Sequence, residues 1–118
     1  MVRLSIALAS LLPLMLVGCD DARKQECDKL LTAMKPVEQG TPAADAVDSV
    51  SKQIEAMKFQ DQPLGVYAKN YRDKLTVLSS TLKLKATGSA PDGTDDLIKK
   101  NLKDTHTDYE DVKRYCSQ

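Results

Sequence analysis

The side chains with the chemistry to catalyse or to ligate are few and scattered. There are three cysteines (Cys19, Cys27, Cys116), one histidine (His106) and two dense acidic runs, Asp95-Asp96 and Asp108-Tyr109-Glu110-Asp111. Nucleophilic catalysis around His106 would need a nucleophile on one side and an orienting acid on the other. No Gly-x-Ser-x-Gly turn is present to offer the nucleophile. Metal binding needs ligands in clusters, and two lone cysteines without neighbouring histidines do not make a zinc site. Neither acidic run has the spacing of a calcium-binding loop. Asp95-Asp96 suit a helix N-terminus, where carboxylates oppose the positive end of the helix dipole, and the second run falls on a polar helix face. Tyr67 and Tyr71, one helical turn apart, read as core and rim. The chain is therefore not expected to be an enzyme, and no catalytic, metal or cofactor-binding residues are assigned.

The first nineteen residues carry more information. Met1-Val2-Arg3 is a short positive start, and Leu4 to Val17 is an apolar run broken only by Ser5, Ser10 and Pro13. Those fourteen residues would extend roughly 21 Å as a helix, short of the ~30 Å hydrocarbon core of a bilayer. A cleaved signal peptide fits better than a membrane span. At its end, Leu16-Val17-Gly18-Cys19 resembles the lipobox of bacterial lipoproteins. The resemblance implies that residues 1–18 are removed and that Cys19 carries the lipid. More than one acyl chain, palmitate among them, would then hold a single domain of residues 19–118 at a membrane. Asp20 and Asp21 are similar to the enterobacterial signal that keeps a lipoprotein in the inner membrane. The expected location is the cell envelope, facing the periplasm, with the inner membrane favoured over the outer. No cofactor is expected beyond the covalent lipid at Cys19.

With Cys19 taken by lipid, Cys27 and Cys116 remain. An even pair in an oxidising compartment reads as a disulfide; two free thiols or a metal pair are the alternatives. A bridge would close almost the whole mature chain into one loop, which in the chain-entropy account stabilises by about 4–5 kcal/mol. The domain has use for it. There is no Trp and a single Phe, Phe59, so the core must be aliphatic and thin. Loss of Arg3 with the signal takes the basic count from 17 to 16 against 17 acidic residues. Such neutrality argues against nucleic acid, which attracts a basic stripe.

The elements that must position these groups are helices, because apolar residues recur at steps of three and four. The first is expected over about residues 21–35, with Cys27, Leu30, Leu31 and Met34 on one face and Pro36 as its stop. The second is expected from Thr41-Pro42, Thr as N-cap and Pro at the first helical position, with Ala43, Val47, Val50, Ile54 and Met57 inward. The third starts near Gln62-Pro63 and buries Leu64, Ala68, Tyr71, Leu75, Leu78 and Leu82. The fourth starts at Thr94 and buries Ile98, Leu102, Thr105, Tyr109, Val112 and Cys116. Short connections favour antiparallel neighbours, giving an all-α, up-down-up-down four-helix bundle. That topology sets Cys27 beside Cys116.

Helix 1 is short. Counted from the cysteines, Lys35 reaches only the level of Asp108, and Val37 is positioned to plug the space beyond. Leu82, Leu84, Leu97 and Ile98 at the far tip would be thinly covered, with Lys83, Lys85, Lys99, Lys100 and Lys103 around them. An apolar patch rimmed by charge is a candidate partner surface. Met34 and His106 on outer helices are similar in kind to the haem ligands of four-helix b-type cytochromes. However, Met34 lies far along its helix and no Cys-x-x-Cys-His is present, so Met34 reads as core and His106 as a boundary residue. The leading expectation is a membrane-anchored, non-enzymatic docking module for another envelope protein. Pilotins and immunity lipoproteins are similar in architecture alone. The alternative is a periplasmic carrier or sensor holding a lipid or apolar small molecule between its helices.

Overall fold

A computed structural model describes residues 21–118; Cys19, Asp20 and the lipobox-like segment lie outside the described residues. Among the described residues there are four helices and no strand. Helix α1 covers residues 21–34, followed by a 3-10 turn at Lys35–Val37. Helix α2 is Ala44–Ala56, α3 is Gln62–Ala86 and α4 is Thr94–Cys116.

Local chemistry explains most of these limits. Pro36 has no N–H to continue the α ladder, so the chain tightens at Lys35, one residue earlier than the sequence pattern places the stop. Asp61 caps α3, its Oδ2 accepting the N–H of Leu64 at 3.2 Å, and Pro63 lies in the first turn, where no donor is missed. The turn into α4 pivots on Gly93 at φ 90°, a backbone shape that costs glycine nothing. One expected cap is corrected. Helix α2 does not begin at Thr41-Pro42 but at Ala44, after an extended Ala43 that makes no side-chain cap. Pro42 is instead buried in the irregular connector, while Thr41 is exposed. Packing of the proline ring outweighs its fitness as a helix start.

The helices run antiparallel and in a regular register. Between α3 and α4, Tyr67 packs on Tyr115, Lys74 pairs with Asp108 and Thr81 bonds Asn101. Each pair lies seven residues from the next on both helices, the spacing at which two helices repeat the same contact face. Between α2 and α3, Glu55 meets Arg72 and Asp48 meets Ser79 and Lys83. On the remaining side, Cys27 and Cys116 are joined in a disulfide with their Cα atoms 5.9 Å apart. Further along the same edge, Glu38 reaches His106. That contact agrees with the counting that set Lys35 level with Asp108.

The core is aliphatic, as the composition requires. Leu30, Met34, Val47, Leu64, Tyr71, Leu75, Leu78 and Val112 are fully buried, and Val37 fills the space beyond the end of α1. Each aliphatic side chain so buried contributes about 1.5–3 kcal/mol relative to exposure. The α3 stripe is buried at every expected position. Helix α4 is turned slightly from expectation: Thr94 and Asn101 are buried, while Leu102 and Tyr109 are only half-buried. The reason is the short α1. Leu102 and Tyr109 share the α1 side of α4 with Cys116, but at the level of Leu102 α1 has already ended. Asn101 faces α3, where its amide donates to Thr81 Oγ1 at 3.0 Å. Thr81 in turn donates to the Val77 carbonyl at 2.8 Å, so the buried polar pair is satisfied.

The disulfide closes a span of 89 residues. Replacing Cys27 with Ser should expose one additional titratable thiol, that of Cys116, and lower stability by about 2–5 kcal/mol. Thiol titration of the unfolded chain with thermal melting checks both. An unchanged thiol count would contradict the bridge.

Candidate functional site

The bundle has two unlike ends and a polar clasp between them. At the disulfide end, side chains from α1, α3 and α4 interlock. Glu26 accepts the backbone N–H groups of Gln60 and Asp61 at 3.1 Å each, holding the turn before α3. Asp61, already the cap of α3, also accepts the Tyr115 hydroxyl at 2.6 Å. That bond, ahead of burial, raises the Tyr115 phenol above its ordinary pKa. Arg23 donates to the Tyr115 carbonyl at 2.9 Å and lies 4.6 Å above its ring. Shallow depressions of about 230 and 330 Å³ flank the disulfide, lined by Lys24 and Cys116 among others.

The clasp stands where α1 stops. Glu38 follows the 3-10 turn, and its side chain is only 8 % exposed. Its Oε2 accepts the Tyr71 hydroxyl at 2.8 Å, and its Oε1 lies 2.9 Å from His106 Nδ1. A carboxylate can only accept, so the Nδ1–H form of the ring completes the bond. On its outer side, His106 Nε2 is 3.7 Å from Glu110. Burial, with the Glu38 charge adding to it, pushes the Tyr71 phenol far above its ordinary value. The arrangement orders the connector against α3 and α4. Tyr71 is fully buried, and His106 is 59 % exposed. Met34, by contrast, is fully buried in the core. Among the described residues, no three His, Cys, Asp or Glu side chains converge as a metal ion needs.

The far end holds the residues that the sequence pattern marks as a partner surface, and the structure divides them. Leu82 and Ile98 are buried and belong to the core. Leu84 and Leu97 are 41 % and 45 % exposed. Lys83 is drawn to Asp48 at 2.8 Å and Lys85 to Asp95 at 2.7 Å. These bonds hold the Asp48 and Asp95 carboxyls below their usual range. Lys99, Lys100 and Lys103 stand exposed on α4. An open depression of about 350 Å³ lies over the turn between α3 and α4, among Lys85, Asp92, Asp95 and Asp96.

Two further exposed aliphatics extend the surface beyond what the tip pattern indicates. Val77 is 52 % and Val66 60 % exposed. Val66, Val77 and Leu84 fall on one outer stripe of α3, two residues out of phase with the core stripe and therefore on the opposite face. Below the tip, Val77 forms part of a depression of about 220 Å³ between α3 and α4, with Asp73, Lys74, Asn101 and Asp104. Sequence reasoning passes over Val77 because single apolar residues on a helix surface are common. Its offset from the core stripe was the available signal. Glu38 was missed for another reason: it lies in a connector, where helical spacing gives no partner.

Comparison with known protein families, with curated proteins and with solved structures finds no match for this chain. The candidate site therefore stands on its own geometry.

Tyr71 supplies a pH test. Its folded-state pKa is raised, so the folded chain keeps a proton that the unfolded chain releases above about pH 10. The Tyr71 contribution to stability is complete below that pH and is lost as pH rises further. Tyr71→Phe should cost about 1–3 kcal/mol at neutral pH, because Glu38 Oε2 loses its donor. The variant should also show a flatter decline in stability above about pH 10. Denaturant unfolding at a series of pH values reads both; parallel declines in the two proteins would contradict the assignment.

Proposed function

We propose that this chain is a lipid-anchored, envelope-facing docking module that holds a partner protein through the outer face of α3 and α4 near its far end. Acylation at Cys19 would place the anchor eight residues before Cys27, next to the interlocked end of the bundle. The far end of the bundle is then the part most distant from the anchor. The observation that carries the reading is the position of the exposed aliphatics. Three of the four, Val77, Leu84 and Leu97, gather on the half of the bundle remote from the disulfide, interspersed with charged side chains, while Val66 lies at the level of Cys116. Apolar side chains left in water beside charge are the usual composition of a protein-binding patch. Asp20 and Asp21 support retention in the inner membrane. No reaction is assigned, because the polar clusters among the described residues are caps, ion pairs and the Glu38 clasp. Partners of other kinds, nucleic acid in particular, are disfavoured by the near-neutral charge.

The reading has two experimental arms. Cys19→Ala should move the protein from the membrane fraction to the soluble fraction of the host, or leave it unprocessed. Persistent acylation elsewhere would contradict the anchor. A photo-crosslinking residue at Leu84 or Leu97 should give one discrete protein adduct in native membranes, and the same residue at Gln53 on α2 should give none. Equal labelling from both positions would contradict a specific docking face.

A further inference from the structure

The groove between α3 and α4 has a chemistry that narrows what can occupy it. Above it, Leu84 on α3 and Leu97 on α4 stand exposed at matching levels of the register. Two turns lower, about 10.5 Å along the helix axis, Val77 lies with Asp73 and Asp104 around it. These two carboxylates form no ion pair among the described residues, whereas Lys74 beside them is held by Asp108 at 2.7 Å. The surface thus offers an apolar contact at one level and, at the next, two carboxylates without an ion-pair partner around an apolar floor, with exposed Lys100 one turn from Asp104.

Resting on the docking reading, we propose that this groove receives an amphipathic helix of the partner protein. Its apolar side chains pack on Leu84 and Leu97. A Lys or Arg about seven residues away enters between Asp73 and Asp104, with its aliphatic stem over Val77. A helix lying along two antiparallel helices presents side chains at this spacing to one groove, and a long basic side chain covers apolar surface while keeping its charge at the carboxylates. The same charges disfavour two other occupants. A second copy paired about a two-fold axis at Val77 would set Asp73 and Asp104 against their own counterparts, and an anionic lipid headgroup would meet them as well.

The test uses the full-length chain in membranes of its host, with a photo-crosslinking residue at Val77. Mass spectrometry identifies the peptide joined to it. The expected peptide comes from another protein, has apolar residues at helical spacing, and bears Lys or Arg within two turns of the joined residue. Reversing both charges, Asp73→Lys with Asp104→Lys, should lower the adduct yield about tenfold or more, while Asp73→Glu with Asp104→Glu should preserve it. Helical content and thermal melting of each variant establish that it is folded. A joined peptide without basic residues, a second copy of this chain, an acyl chain, or a yield unaffected by charge reversal would each overturn the proposal. Absence of an adduct at Val77 while Leu84 captures a protein would overturn the groove and leave the docking reading standing. Absence at both positions would overturn the two together.

Discussion

The bond between Cys27 and Cys116 is the constraint on which the other contacts depend. It joins the start of the described chain to its last helical residue and so fixes how far α1 can reach along α4. Everything above it is a matter of counting. α1 stops at residue 34 because Pro36 cannot extend it, and the end of α1 therefore falls beside the middle of α4. A bundle of this size with one Phe and no Trp has little apolar area to spare. Restricting the unfolded chain by cross-linking its ends offsets part of that shortage.

The short first helix shapes the rest of the structure. Where α1 ends, three helices must be sealed by a connector, and a connector brings polar backbone and side chains with it. Val37 fills the apolar part of the space and Glu38 the polar part, bonded at once to buried Tyr71 and exposed His106. Higher up, Leu102 lacks the neighbour that a full-length α1 would provide and is only half-buried. Asn101 is then buried against Thr81. Asn101 also lines the depression that holds Val77. The Glu38 clasp and the half-buried Leu102 both follow from the length of one helix.

How much of this was legible in the sequence differs by element. The α3 stripe was legible in full because both its faces are defined by neighbours along its length. The disulfide was legible because apolar spacing and antiparallel topology bring the two cysteines to the same level. The start of α2 was not, since Thr41-Pro42 has the chemistry of a helix start and only burial of the proline ring decides otherwise. The rotation of α4 was not, because Asn101 and Leu102 occupy adjacent positions and their order of burial depends on where a different helix ends. In the candidate surface, the tip leucines were legible as a group, but which of them are covered was not. Leu82 and Ile98 point into the bundle and Leu84 and Leu97 out of it by differences in phase of one or two residues. The carboxylates around Val77 carry no local signal, because exposed acids are ordinary on a helix surface.

The proposed lipid at Cys19 and the proposed docking face lie to either side of the interlocked end that Cys27–Cys116 joins. The most direct test is the intact mass of the protein extracted from membranes of its native host, before and after reduction. The account predicts a chain that begins at Cys19, carries the mass of acyl chains, and gains two hydrogens on reduction. A chain that retains residues 1–18, one that begins at Cys19 without added mass, or a mass unaltered by reduction would contradict it.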